Sequence, residues 1–83
     1  MTMKVLYGKD AAKVISRLDV PTKQRIRAAI ERLPDGDVKQ IKGRNIITYR
    51  LRVGGWRVLY SFEDDSTIYV EKVAPRGEAY RGV

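Results

Sequence analysis

Gly54-Gly55 is the point from which the rest of this chain can be read. It separates two runs of alternating polarity, Tyr49-Arg50-Leu51-Arg52-Val53 and Trp56-Arg57-Val58-Leu59-Tyr60. Primed two-residue turns need positive φ, which glycine adopts without steric cost, so the pattern predicts a tight β-hairpin. A turn at Gly54-Gly55 pairs Val53 with Trp56, Arg52 with Arg57, Leu51 with Val58, Arg50 with Leu59 and Tyr49 with Tyr60. Side chains alternate across a strand. One face then carries Ile47, Tyr49, Leu51, Val53, Trp56, Val58, Tyr60 and Phe62, a core face. The other carries Thr48, Arg50, Arg52, Arg57, Leu59 and Ser61. Like charges directly opposite one another are destabilising, so the Arg52–Arg57 pair calls for a reason beyond stability. An anion supplies one.

Composition narrows the chemistry. The 83 residues make a single domain over 1–83, and a chain of this size buries roughly 60–65% of its unfolded surface. It has no cysteine and no histidine. That rules out disulfides, thiolate or imidazole metal sites and histidine-based nucleophile pairs. No metal or cofactor is expected, and any chemistry must use Arg, Lys, Tyr, Asp or Glu. A net charge of +7 points to a polyanionic partner, nucleic acid before an acidic protein segment. No apolar run reaches spanning length, so no membrane association is expected.

Ahead of the hairpin, Met3 to Tyr7 reads as a strand, with Asp10 the expected N-cap of the helix that follows. Ala11, Val14, Ile15 and Leu18 recur at helical spacing. Pro21-Thr22 suits the start of a second helix, whose apolar face is Ile26, Ala29, Ile30 and Leu33 and which ends before Pro34. Its basic residues Lys23, Arg25, Arg27 and Arg32 read mostly as a solvated face. Val38 to Asn45 is a basic connector without period, from which Lys39, Lys42 and Arg44 can line an approach to a phosphate backbone. Glu63 to Ser66 is a polar turn, and Thr67 to Val73 is rich in β-branched residues and reads as the last strand. The expected fold is α+β, β-α-α-β-β-β, an antiparallel sheet with both helices on one face and the arginine face open.

Four segments carry a family resemblance over nearly the full length: Leu18-Asp19-Val20-Pro21-Thr22-Lys23-Gln24-Arg25-Ile26, Ile41-Lys42-Gly43-Arg44, the hairpin from Tyr49 to Tyr60, and Pro75-Arg76-Gly77-Glu78-Ala79-Tyr80. In this order the chain resembles the RelE/ParE superfamily of toxins from type II toxin–antitoxin pairs, closest to the RelE-like branch. The resemblance implies a cytoplasmic toxin held in a hetero-oligomer with a cognate antitoxin. For the RelE branch it implies metal-independent cleavage of mRNA on the ribosome by attack of the ribose 2′-hydroxyl on the adjoining phosphate.

By matching positions, Arg50 and Arg52 fall where that branch often has lysines. Arg57 falls on its hairpin arginine, Arg76 on its tail arginine and Tyr80 on its tail tyrosine. These five are the expected catalytic residues, with Lys39, Lys42 and Arg44 as substrate-binding residues. Arginine is effectively never deprotonated, so the general base is left unassigned, with Lys39, Lys42 or a ribosomal group as alternatives and no carboxylate expected on the arginine face. The resemblance also leaves a ParE-like inhibitor of DNA gyrase, and an inactive relic that still binds antitoxin, as alternatives. Trp56, Tyr49 and Tyr60 are expected in the core, since they share a face with Leu51 and Val58.

Overall fold

A computed structural model describes residues 3–76. The elements run β1 (Lys4–Tyr7), α1 (Lys9–Ser16), α2 (Val20–Glu31), β2 (Asp37–Ile41), β3 (Thr48–Val53), β4 (Trp56–Asp64) and β5 (Thr67–Pro75). The expected α+β order is present with one strand more, because the connector after α2 contributes β2. The five strands lie in the order β1-β5-β4-β3-β2. All neighbours are antiparallel except β1, which pairs parallel with β5. The sheet is therefore mixed, and this corrects the expectation of a wholly antiparallel one. The two helices between β1 and β2 carry the chain over one face, and β1 closes the far edge in the parallel sense.

Each helix begins for a local reason. Gly8, rather than the expected Asp10, is the N-cap residue of α1, and Asp10 sits in the first turn. There its carboxylate favours the positive end of the helix dipole. At α2 the Asp19 carboxylate accepts the Thr22 backbone N–H at 3.2 Å, and proline occupies the first turn. The apolar stripes meet the sheet as their spacing requires. Ile26, Ala29 and Ile30 from α2, Leu33 just past its end and Ala11 from α1 pack with Leu51, Val53, Val58, Tyr60, Ile68, Val70 and Val73. Complete burial of one such aliphatic side chain is worth about 1.5–3 kcal/mol.

The hairpin closes in the expected register, from Val53–Trp56 through to Tyr49–Tyr60. Gly54 has φ +58°, as the first central residue of a primed turn requires. The apolar face outruns the helices that cover it. Tyr60 is buried, whereas Phe62 and Ile47 at the end away from the turn are 41% and 61% exposed. Tyr49 stacks on Tyr60 with ring centroids 5.5 Å apart, and Phe62 meets both rings edge-on.

Two bulges bend the β4–β5 ladder. Leu59 is opposite Lys72 and Tyr60 opposite Val70, which leaves Glu71 as an extra residue; a second shift follows Phe62. Extra residues of this kind re-aim side chains locally. Among the described residues no helix is long and apolar enough to cross a membrane.

Candidate functional site

The face of the sheet away from the helices is built from two rows of paired residues. One row runs Asp37, Arg52, Arg57, Ala74; the next runs Lys39, Arg50, Leu59, Lys72. The ladder thus gathers Lys39, Arg50, Arg52, Arg57 and Lys72 onto one face from four strands. Lys39 and Arg50 are direct cross-strand partners. Together with Gln40, Ile41 and Lys42 they line a groove of about 400 Å³ along the β2 edge. Lys39 and Lys42 therefore stand beside Arg50.

Asp37 changes the electrostatic reading of this face. It is opposite Arg52 in the β2–β3 ladder. Its Oδ1 accepts from Arg50 Nη2 at 3.2 Å and its Oδ2 lies 3.8 Å from Arg52 Nη1. The expectation that no carboxylate stands on the arginine face is corrected here. A carboxylate offers about four lone-pair sites, and with 55% of its side chain exposed Asp37 keeps some of them open to solvent. Arg50 has a further feature, since its Nε is buried with no hydrogen-bond partner among the described residues. A buried donor left unsatisfied costs about 1–3 kcal/mol, more when charged.

Arg57 behaves differently from its two neighbours. It is 5% exposed, and its Nη1 donates to the carbonyls of Gly54 and Trp56 at 3.2 and 3.1 Å. The arginine face is open at Arg52 but closed at Arg57, which corrects the expectation of a uniformly bare face. Arg57 and Arg52 are cross-strand partners, yet the first turns to the carbonyls of the hairpin and the second to Asp37. The predicted repulsion is thereby relieved from both sides.

Arg44 does not join the cluster. It forms a two-nitrogen ion pair with Glu71, the Nη2–Oε2 contact measuring 3.4 Å. Arg76 follows β5 directly, and its backbone N–H donates to the Gly55 carbonyl at 2.8 Å. That bond sets Arg76 beside the hairpin turn, with its side chain exposed. Tyr80 lies outside the described residues.

Three residues of this face were missed by sequence reasoning: Asp37, Glu71 and Lys72. Asp37 reads as part of an Asp-Gly-Asp turn because Asp37-Val38-Lys39-Gln40-Ile41 shows no alternation; Val38 packs on the core, whereas Ile41 is on the opposite side. Lys72 also depends on the β5 bulge, since strict alternation from Ile68 and Val70 would put it on the core face. Glu71 needs the bulge, which the sequence does not announce.

The chain that builds this face matches a known family. The model of the ParE toxin of type II toxin–antitoxin systems, parDE, covers residues 5–80. The chain belongs to the ParE toxin family. No curated protein matches it. Solved structures do. The RelE–RelB complex of the archaeon Pyrococcus horikoshii contains a chain 32% identical, with 95% of this toxin and 100% of that chain covered at a TM-score of 0.71. The RelB–RelE antitoxin–toxin complex of Methanococcus jannaschii gives 27% identity, coverage of 90% and 94%, and a TM-score of 0.71. The RelBE2 complex of Mycobacterium tuberculosis, at 21% identity, coverage of 92% and 100% and a TM-score of 0.72, shares the fold. The toxin is thus a RelE/ParE superfamily member with RelE-like structural neighbours.

Proposed function

We propose that the toxin is a metal-independent endoribonuclease that cuts mRNA on the ribosome and is held inactive by a cognate antitoxin in a hetero-oligomer. The observation that carries this reading is the juxtaposition of Arg50, Arg52 and Lys39 on an accessible sheet face beside a groove. Planar guanidinium forks hold phosphate oxygens in pairs, and the Arg52 side chain, 45% exposed, is open to such a group. The 2′-hydroxyl attacks in line, the phosphorus becomes five-coordinate, and the added negative charge falls between Arg50 and Arg52. Electrostatic stabilisation of developing charge is often the largest catalytic contribution.

In the same reading Arg57, held by the turn carbonyls, shapes the end of the clamp, and Arg76 stands beside that turn to meet a flanking phosphate. Lys39 and Lys42 guide the backbone along the groove, and Tyr80 stacks on a substrate base. Arg44 is assigned to holding the fold rather than to binding RNA, because Glu71 occupies it. The antitoxin partner is supported by the family and by the RelE-like neighbours, whose structures are toxin–antitoxin complexes.

A second reading, a binding toxin directed at DNA gyrase, is favoured by the ParE character of the matching family and by the engagement of Arg57 with its own turn. Brief expression separates the two, with mRNA 5′ ends mapped and gyrase supercoiling measured in parallel. The nuclease reading expects cuts within translated codons that fall about 10²–10³-fold in Arg50→Ala or Arg52→Ala, while antitoxin binding persists. Intact messages with inhibited supercoiling overturn it.

A further inference from the structure

The clamp lacks an obvious proton acceptor. Arginine does not serve as one, and a lysine must first lose a proton of its own. Among the described residues Asp37 is the carboxylate that touches both arginines of the clamp, at 3.2 Å from Arg50 Nη2 and 3.8 Å from Arg52 Nη1. Glu71, the other carboxylate of this region, is taken by the Arg44 fork. Asp37 borders one of two grooves in this part of the chain. With Arg25, Ala29, Arg32, Asp35, Leu51 and Arg52 it lines one of about 480 Å³. Its neighbour two residues on, Lys39, lines the other with Arg50.

We propose that Asp37 is the general base for cleavage, a role that rests on the nuclease reading above. With a phosphate on the outer donors of Arg50 and Arg52, the exposed lone pairs of Asp37 come within reach of the adjoining ribose. An Asp37 carboxylate oxygen takes the 2′-hydroxyl proton as the 2′-oxygen bonds to phosphorus. The P–O5′ bond then breaks, and the departing oxygen takes a proton from water. The products are a 2′,3′-cyclic phosphate and a 5′-hydroxyl end. The proton on Asp37 returns to the hydroxide left in solvent, so the step consumes nothing. The ion pairs with the arginines hold the carboxylate in place before substrate arrives.

The plain alternative is that Asp37 only compensates charge. The two roles predict opposite behaviour, because removing an anion from a cationic face strengthens RNA binding in either case but slows cleavage only in the first. The test is single-turnover cleavage by the full chain on mRNA-programmed ribosomes, comparing wild type with Asp37→Asn and Asp37→Glu. RNA affinity, antitoxin binding and thermal unfolding are measured on the same samples. The expected result is a fall in the cleavage step of about 10²–10⁴-fold in Asp37→Asn, with RNA affinity equal or tighter. Asp37→Glu recovers part of the rate. The charged groups around Asp37 are Arg50 and Arg52 from β3, Lys39 from its own strand, Arg25 and Arg32 from the α2 side, and Asp35. A folded Asp37→Asn that binds RNA and cuts at the wild-type rate overturns the proposal. A wild type that cuts no RNA on the ribosome overturns the nuclease reading beneath it.

Discussion

Arg44 and Glu71 face each other across a strand that belongs to neither. Arg44 lies in the loop between β2 and β3, Glu71 is the extra residue of the β5 bulge, and β4 runs between β3 and β5 in the sheet. Both terminal guanidinium nitrogens are engaged, and the two side chains are 25% and 30% exposed. The pair ties the loop that leads into the clamp strand to the far side of the hairpin.

A double-mutant cycle of Arg44→Ala and Glu71→Ala, read by denaturant unfolding, should give a coupling of about 0.5–1 kcal/mol. It should shrink as salt is raised, because partly exposed charges are screened. Additive single effects would remove the tie.

Gly8 offers a steric test. Its N–H donates to the Val70 carbonyl at 2.8 Å, and a Cβ placed there would stand 2.4 Å from the Tyr69 hydroxyl and 3.3 Å from the Val70 oxygen. Gly8→Ala should cost about 1–3 kcal/mol as an overpacking change. Tyr69→Phe in the same chain should restore part of that loss, whereas Tyr69→Phe alone should not stabilise.

Acid should weaken the fold through a helix cap and a turn. The Thr22 side chain and N–H hold the Asp19 carboxyl below its ordinary value of 3.8. The Ser66 N–H, assisted by the Thr67 side chain, does the same for Asp64. A lowered folded-state value means that the stabilisation is complete above the ordinary value and lost as pH falls through the folded one. The thermal midpoint should therefore decline below about pH 4. Asp19→Asn keeps an N-cap acceptor without the titration, so its acid decline should be shallower.

Alkali should act through Tyr60. Burial, with a smaller contribution from Tyr49, pushes its phenol from 10.0 up to about 12. Here the folded value is raised, so the stabilisation is complete below the ordinary value and disappears between about pH 10 and 12. Tyrosinate absorbance should appear together with unfolding in that window. In Tyr60→Phe the loss over the same window should be smaller.

The hairpin was legible residue by residue, because a glycine turn and strict alternation are local signals that leave one register open. The apolar faces of α1 and α2 were legible for the same reason. The edge strand β2 was not. Its pairing with β3 is decided by residues about 13 positions away, as in Asp37 and Arg50, and its own five residues carry no alternation. The N-cap of α1 was misplaced by two residues, since Gly8 is fixed by its contact with β5 rather than by capping chemistry. Of the candidate site, Arg50 and Arg52 could be gathered from sequence, but the different fate of Arg57 depends on how its side chain turns back to the hairpin carbonyls.

By itself the sequence determined the order of the elements other than β2, the hairpin register and the hairpin arginines that share a sheet face. All of these follow from turn chemistry and periodicity within a few residues. Only the tertiary structure decided what stands among those cations. The return of the chain along β3 brings Asp37 between Arg50 and Arg52, and the β5 bulge gives Arg44 to Glu71. Which charges meet depends on strand adjacency, and adjacency is set by packing of the whole sheet against the helices. An arginine cluster thereby becomes a cationic site with a carboxylate among its arginines.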